Sequence, residues 1–495
     1  MEELPHQLYR ATQVRKLDQV AIEEFNIPGT KLTENAGKFA FHALRAKWPE
    51  SEKLTIFCGI GNNGGDGYVV ARLAKQAGLQ TRIIQVGSVE KIKGDALSAY
   101  HAMLRSGVEV ETFSSATRFS PDVVVDGLLG TGLKGEVAGE WRAAIEAINQ
   151  SNRPVLALDI PSGLHADTGQ ILGLAVHATL TVTFIGLKQG LFTADGAECC
   201  GEIRYSDLAV PPEVFSNIPS SAIRLDKYLF KDYLQPRSRV AHKGFFGHVL
   251  LVGGDSGMSG ATRLAGEAAA RVGAGLVSIA TRTTHAEMLN NTRPELMCHG
   301  VEGGSDLGPL LKRATVVGIG PGLGQRPWAR SLLSRVIDSQ LPLVVDADGL
   351  NLLSQNPVNR GNWILTPHPG EAARLLNCST KEIQQDRFAA IRELQEQYGG
   401  VIVLKGSGTL VSSEDLSVGL CSAGNPGMAS GGMGDVLSGV IAGLLAQKFS
   451  LKQAACIGVT LHAVAADMAA RSGERGILAG DLMEPLHYLV NPNHQ

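Results

Sequence analysis

Short, nearly unbroken runs of aliphatic and β-branched residues recur through the first half of the chain, at 54–58, 81–86, 123–125, 155–158 and 180–184. A strand with one wet face alternates apolar and polar positions. Unbroken runs of this length instead predict strands covered on both faces, as in a parallel sheet. Between them, apolar positions at helical spacing predict helices over 14–24, 35–46 and 68–76, with Pro28 and Gly29 separating the first two. The run 54–58 feeds GIGNNGGDG at 59–67, which reads as a glycine-rich loop before the helix at 68–76. Strand, glycine loop and helix in succession describe the opening turn of a doubly wound α/β unit. Periodicity fades over 209–236, where Pro211, Pro212, Pro219 and Pro236 accumulate, and a domain boundary is expected there. Alternation resumes with apolar runs at 248–252, 276–280, 315–319, 342–345, 363–365 and 401–404, a glycine loop at 253–260, and an apolar helix at 436–445. The fold class is α/β in both halves, without an internal repeat.

Composition narrows the classes of function. Fifty-nine of the 495 residues are glycine, well above the usual ~7%. Tight turns and close backbone approach to ligands explain that excess better than disorder. The net charge of −3 gives no electrostatic reason to expect nucleic acid or an anionic membrane. No apolar stretch reaches the ~20 residues of a membrane span; residues 454–470 come nearest but contain His462 and Asp467. The N-terminal MEELPHQLYR lacks the apolar core of a secretion signal, and the seven cysteines include no CxxC pair. A reduced, cytoplasmic protein is expected.

In the first half, Gly59 to Gly64 satisfy GxGxxG, but the run 81–86 ends in Gln85 and Val86 rather than the acidic residue that binds a dinucleotide ribose. An ordinary hydride-transfer site is therefore not expected. Polar groups, Asn62, Asn63 and Asp66, stand among the glycines instead. Asp126 and Asp159 close two other runs, the latter within LDIPSG. Carboxyl ends of parallel strands converge on one crevice, so Asn63, Asp126 and Ser162 can meet there, and such oxygen ligands suit a hard, weakly held cation. Turn-capping by Asp126 and Asp159 is the alternative.

In the second half, NPGMASGGMGD at 425–435 opens the helix at 436–445. Glycines free amide groups to face one point, and a helix N-terminus adds positive potential, so the stretch can cradle a phosphoryl group. Asp435 is then placed to accept a proton from an attacking hydroxyl, unless it only caps the helix. LKGSGT puts Lys405 at a strand end as a phosphate contact, although the chain has no Walker loop. TPHPGE holds His368 between two prolines, and GIGPGLG at 318–324 is a third flexible turn. Asp346-Ala347-Asp348 lacks the spacing of a calcium loop and is set aside.

Residues 62–66, the Asp126 segment and LDIPSG resemble the NAD(P)H-hydrate epimerases over residues 9–216. That resemblance implies a Rossmann-like three-layer sandwich that interconverts the R and S hydrates at C6 of the nicotinamide ring. It further implies that Asn62, Asn63, Gly64, Gly65 and Asp66 bind substrate phosphates, and that Asn63, Asp126 and Ser162 hold K+. Gly130, Thr131, Gly132, Leu133, Lys134, Gly135 and Glu136 line the substrate with Asp159, which handles the proton.

PGLG, DADGLN, TPHPGE, LKGSGT and GGMGD resemble the NAD(P)H-hydrate dehydratases over residues 225–495, which implies a ribokinase-like fold. By that resemblance Lys405, Gly406, Ser407, Gly408, Thr409 and Gly434 contact the adenine nucleotide. Ala261, Gly322, His368 and the base Asp435 contact the hydrate. The order of the halves resembles the bifunctional NAD(P)H-hydrate repair enzymes. It implies NADHX and NADPHX as substrates, ADP as co-substrate giving AMP and phosphate, Mg2+ with the dehydratase half, and a homo-oligomer. The alternative is a ribokinase-type small-molecule kinase with a non-catalytic N-terminal module.

Overall fold

The computed structural model describes residues 4–291, 293–415 and 417–491. Its chain divides into two compact units, residues 1–223 and 224–495. The start of the N-terminal stretch read for a secretion signal, residues 1–3, lies outside the described residues.

The N-terminal unit is built on a seven-stranded sheet. Its spatial order is Glu109–Thr112, Gln80–Gln85, Lys53–Cys58, Val123–Gly127, Val155–Leu158, Leu180–Phe184 and Glu202–Ser206, every pairing parallel. The central strands Val123–Gly127, Val155–Leu158 and Leu180–Phe184 are buried throughout, as their unbroken apolar runs require. The two edge strands carry EVET and EIRYS, half-buried sequences without an apolar run. The order reverses between Lys53–Cys58 and Val123–Gly127, so the loops leaving these neighbours part and open a crevice at their carboxyl ends.

One expectation changes here. The sequence predicts a loop over 59–67, but helix begins at Asn62 and runs to Gln76. Its glycines are packing residues. A Cβ on Gly64 stands 2.1 Å from the Gly59 carbonyl oxygen, and one on Gly67 stands 2.7 Å from Cys58 Sγ. Absence of a side chain lets the helix lie directly on the sheet, which offsets glycine's poor helix propensity.

The C-terminal unit orders its strands Met297–Gly300, Leu276–Thr281, His248–Val252, Val316–Ile319, Leu343–Val345, Trp363–Leu365, Val401–Leu404, Thr409–Ser412 and Val418–Cys421. The first seven run parallel and the last two add antiparallel. Helix Met433–Ala446 is buried on nearly all sides and packs against helices Ser259–Arg271 and Leu451–Ala469. By length and composition the segment Leu451–Ser472 passes for a membrane crossing, contrary to expectation, yet 67% of that window is buried inside the protein. It is a core helix. All seven cysteines are free.

Candidate active sites in the two units

In the N-terminal unit a cavity of about 650 Å³ opens at the reversal point of the sheet. Its wall brings together Asn62, Asn63, Asp66, Gly130, Thr131, Gly132, Leu133, Lys134 and Asp159. Gly64 and Gly65 are buried in the helix instead of facing the cavity, and Gly135 and Glu136 lie outside its wall.

Beside the cavity, the Asp126 carboxylate accepts from Ser162 Oγ at 2.6 Å, Ser162 N at 2.8 Å and Leu128 N at 3.1 Å. Burial raises Asp126 to about 6 even against these three bonds. Asn63 donates through Nδ2 to the Leu129 carbonyl at 3.1 Å, while its Oδ1 is buried without a partner. An orphaned amide oxygen is costly unless something positive meets it. The donor set around it is all oxygen and carries one formal charge, which fits a monovalent cation better than zinc or another soft metal. Among the described residues no cluster of three His, Cys, Asp or Glu side chains could hold a metal.

Asp159 has φ +64°, a left-handed backbone uncommon outside glycine and asparagine. Its carboxylate forms an ion pair with Lys188 Nζ, which also donates to Thr183 Oγ1 and the Phe184 carbonyl, both at 3.0 Å. Lys188 is fully buried. It is held by the short strand Leu187–Lys188, in parallel register with Gln7–Tyr9. No local pattern marks this lysine; only the fold brings it to Asp159. Asp66 and Asp18 share the cavity, and burial pushes both carboxyls up, Asp18 to about 6 and Asp66 well above the usual range.

In the C-terminal unit, Asp346, His368 and Lys405 follow the neighbouring parallel strands Leu343–Val345, Trp363–Leu365 and Val401–Leu404. Lys405 Nζ donates to Asp346 Oδ1 at 2.7 Å and stands 3.8 Å from Glu371 Oε2. Asp346 Oδ2 accepts from Ser438 Oγ at 2.7 Å, on helix Met433–Ala446. A Cβ on Gly434 falls 3.4 Å from Lys405 Nζ and 3.5 Å from Asp346 Oδ2. The lysine, the aspartate and the helix mouth therefore meet at one point.

The cap of helix Met433–Ala446 is Gly432 at φ +91°, with no side-chain hydrogen bond, and Asp435 lies in the first turn. Asp435 is thus not the capping residue, and the leading amides stay available for an anion. Burial first, then the nearby Asp346 charge, raises Asp435 to about 7 against the pull of Lys405.

His368 Nδ1 accepts from Gly370 N at 2.9 Å, capping helix Pro369–Leu375, so the ring proton sits on Nε2. Burial and the Lys405 charge hold this imidazole below its ordinary pKa. The loop of Lys405, Gly406, Ser407, Gly408 and Thr409 is shaped from beneath by Arg387. That buried guanidinium donates to the carbonyls of Lys405 at 3.2 Å and of Leu404 and Gly408 at 3.3 Å. A Cβ on Gly406, at φ +134°, would stand 2.8 Å from Arg387 Nη1. Across the sheet's other loop pair, Asp255 N donates to the Gly322 carbonyl at 2.6 Å, and a Cβ on Gly322 lies 3.2 Å from the Ala261 Cβ.

Glu371, Arg387 and Ser438 are not singled out by the sequence, and Asp346 is considered there only as a calcium ligand. Asp346 alone carried a usable signal, a strand-end aspartate like Asp126 and Asp159.

Residues 29–190 match the family described as YjeF-related protein N-terminus, and residues 249–487 match NAD(P)H-hydrate dehydratase. The chain is 51% identical over 486 residues to the bifunctional NAD(P)H-hydrate repair enzyme of Coxiella burnetii, covering 98% of this chain and 99% of the relative. Identity to the corresponding enzyme of Escherichia coli K12 is 43% over 490 residues, 99% of this chain and 95% of the relative. Among solved structures, a ribokinase-like superfamily protein of Enterococcus faecalis V583 is 31% identical with a TM-score of 0.51, covering 54% of this chain and 95% of its own. The chain belongs to the bifunctional NAD(P)H-hydrate repair enzymes.

Proposed function

We propose that the chain restores hydrated NADH and NADPH, its residues 9–216 interconverting the R and S hydrates and its residues 225–495 dehydrating the S form at the expense of ADP. The observation that carries this reading is a half-buried carboxyl poised near neutrality, Asp435, in the first turn of a helix without a side-chain cap, at the same point as Lys405.

Asp435 accepts the proton of the C6 hydroxyl as its oxygen attacks the terminal phosphorus of ADP. The amides of Gly431 to Gly434 and the Lys405 ammonium receive the phosphoryl charge. A general base with a pKa near the working pH combines an adequate ionised fraction with adequate driving force. AMP departs; loss of phosphate from C6 and of a proton from C5 then restores the dihydronicotinamide. His368 offers its Nε2 proton to the hydrate, and Ala261 and Gly322 form a small-residue wall against which the ring lies. Mg2+ is expected to enter with the nucleotide phosphates.

In the other unit, Asn63, Asp126 and Ser162 would hold K+, with the orphaned Asn63 Oδ1 as its clearest ligand. Bound there, the ion supplies positive charge for the substrate's phosphates. Asp159, kept in place by Lys188, handles the proton as hydroxide leaves C6 and returns to it. Assembly as a homo-oligomer and ADP rather than ATP as phosphoryl donor belong to the same proposal.

The test mixes acid-generated hydrate of both epimers with the protein and ADP and follows recovery of reduced-cofactor absorbance. Fast, complete recovery supports both activities. Fast recovery of only the S fraction refutes the epimerase assignment, and a stable phosphorylated product refutes the dehydratase assignment in favour of a small-molecule kinase.

A further inference from the structure

The cavity of the N-terminal unit gathers more acid than one proton transfer at Asp159 needs. Asp18 comes from helix Ala11–Glu23, ahead of the segment 29–190 that matches the family, and lines the same wall as Asp159, Asp66 and Lys188. Lys188 is committed to Asp159 through a direct ion pair. The half-buried Asp18 carboxyl, by contrast, has no hydrogen bond or salt bridge among the described residues, and it faces the space a substrate would fill.

We propose that Asp18 is a second catalytic residue of the epimerisation, the acid that protonates the hydroxyl leaving C6, with Asp159 as the base. The proposal rests on the epimerase reading above and extends it. The step balances without any further reagent. The ring nitrogen's lone pair forms a double bond to C6 as the C6–O bond breaks, and the departing oxygen takes the Asp18 proton and leaves as water. Water then adds to the opposite face of C6, the electron pair returns to nitrogen, and Asp159 takes the released proton. Transfer of that proton back to Asp18 through solvent closes the cycle. One carboxyl paired with a lysine and another with no hydrogen bond or ion pair among the described residues, in the same cavity, is the division of labour that acid and base roles require.

The groups facing Asp18 support the division. Burial, the dominant cause, and the Asp159 charge raise Asp18 to about 6 while Lys188 opposes them. Arg15 on its own helix, Asp66 on helix Asn62–Gln76, Asp95 on helix Gly94–Arg105 and Lys134 on the loop after Val123–Gly127 complete the charged lining.

The experiment uses the full chain, purified R hydrate and no ADP, and measures formation of the S hydrate chromatographically. Asp18→Asn is expected to slow epimerisation by about 10²–10⁴-fold with KM changed by no more than about threefold. ADP-dependent dehydration of pure S hydrate by the same preparation should be unchanged. Asp18→Glu should recover part of the rate. For the wild type, the rate should fall as pH rises through about 6, where Asp18 loses its proton, and Asp18→Asn should lack that fall. Asp18→Asn within about threefold of wild type overturns the proposal. Where that variant loses structure, the wild-type profile decides, since a rate flat from pH 5 to 8 excludes an acid of this kind. A wild-type chain that does not epimerise at all removes the underlying reading and this role with it, a result distinct from a normal rate in Asp18→Asn.

Discussion

Replacing Asp435 by asparagine removes a charge that the fold resists and the reaction requires, so stability and activity should move in opposite directions. Asp435 rises from 3.8 to about 7 on folding. Between those values the native state keeps a proton that the unfolded chain releases, so wild-type stability falls as pH rises from about 4 to about 7 and stays low above it. At about 1.4 kcal/mol per pH unit, the cost reaches a ceiling of about 4 kcal/mol at pH 8.5 and only about 1 kcal/mol at pH 4.5. Asp435→Asn, near in shape and always neutral, escapes this cost. At about 2 °C per kcal/mol for a unit of this size, calorimetry of the intact chain should show the C-terminal transition raised by about 8 °C at pH 8.5 and by about 2 °C at pH 4.5. The dehydration rate should drop by about 10²–10⁴-fold while the nucleotide Kd changes by no more than about threefold. An equal change in melting temperature at both pH values would refute the burial argument. Equal loss of nucleotide binding and turnover would refute the role as base.

Three further changes probe the two sites. Gly434→Ala places a methyl group 3.4 Å from Lys405 Nζ and 3.5 Å from Asp346 Oδ2; dehydration kinetics should show a loss of about tenfold or more, with the melting temperature nearly unchanged. Lys188→Met leaves Asp159 without its ammonium and should cost the N-terminal unit about 3 kcal/mol in urea unfolding, along with its epimerase activity. Potassium at about 100 times its Kd should stabilise wild-type protein by about 2.7 kcal/mol in thermal shift. Asp126→Asn or Asn63→Ala should abolish that gain, and an unaltered gain in both would exclude the proposed cation site.

What could be read from the residues divides along physical lines. Central strands such as Val155–Leu158 and Val401–Leu404 are buried on both faces and therefore announce themselves as apolar runs. Edge strands such as Glu109–Thr112 and Glu202–Ser206 are half wet, and their composition does not distinguish them from loop. The helix start at Asn62 was hidden because glycine signals freedom in a sequence, whereas Gly64 and Gly67 serve close packing. Strand-end aspartates were visible because topology sends strand ends to a crevice. Their partners were not: Lys188 reaches Asp159, and Arg387 the 405–408 loop, through folds of the chain that no local pattern encodes. Asp346 was visible but was judged only as a calcium ligand.

The left-handed backbone at Asp159 has a consequence for anyone selecting variants of this protein. Glycine there relieves a conformational penalty of about 1 kcal/mol, but it strands the buried Lys188 ammonium at a cost of about 3 kcal/mol. A screen for heat resistance or expression would therefore retain aspartate at this codon even with no selection on turnover, because the lysine beneath it holds the residue in place.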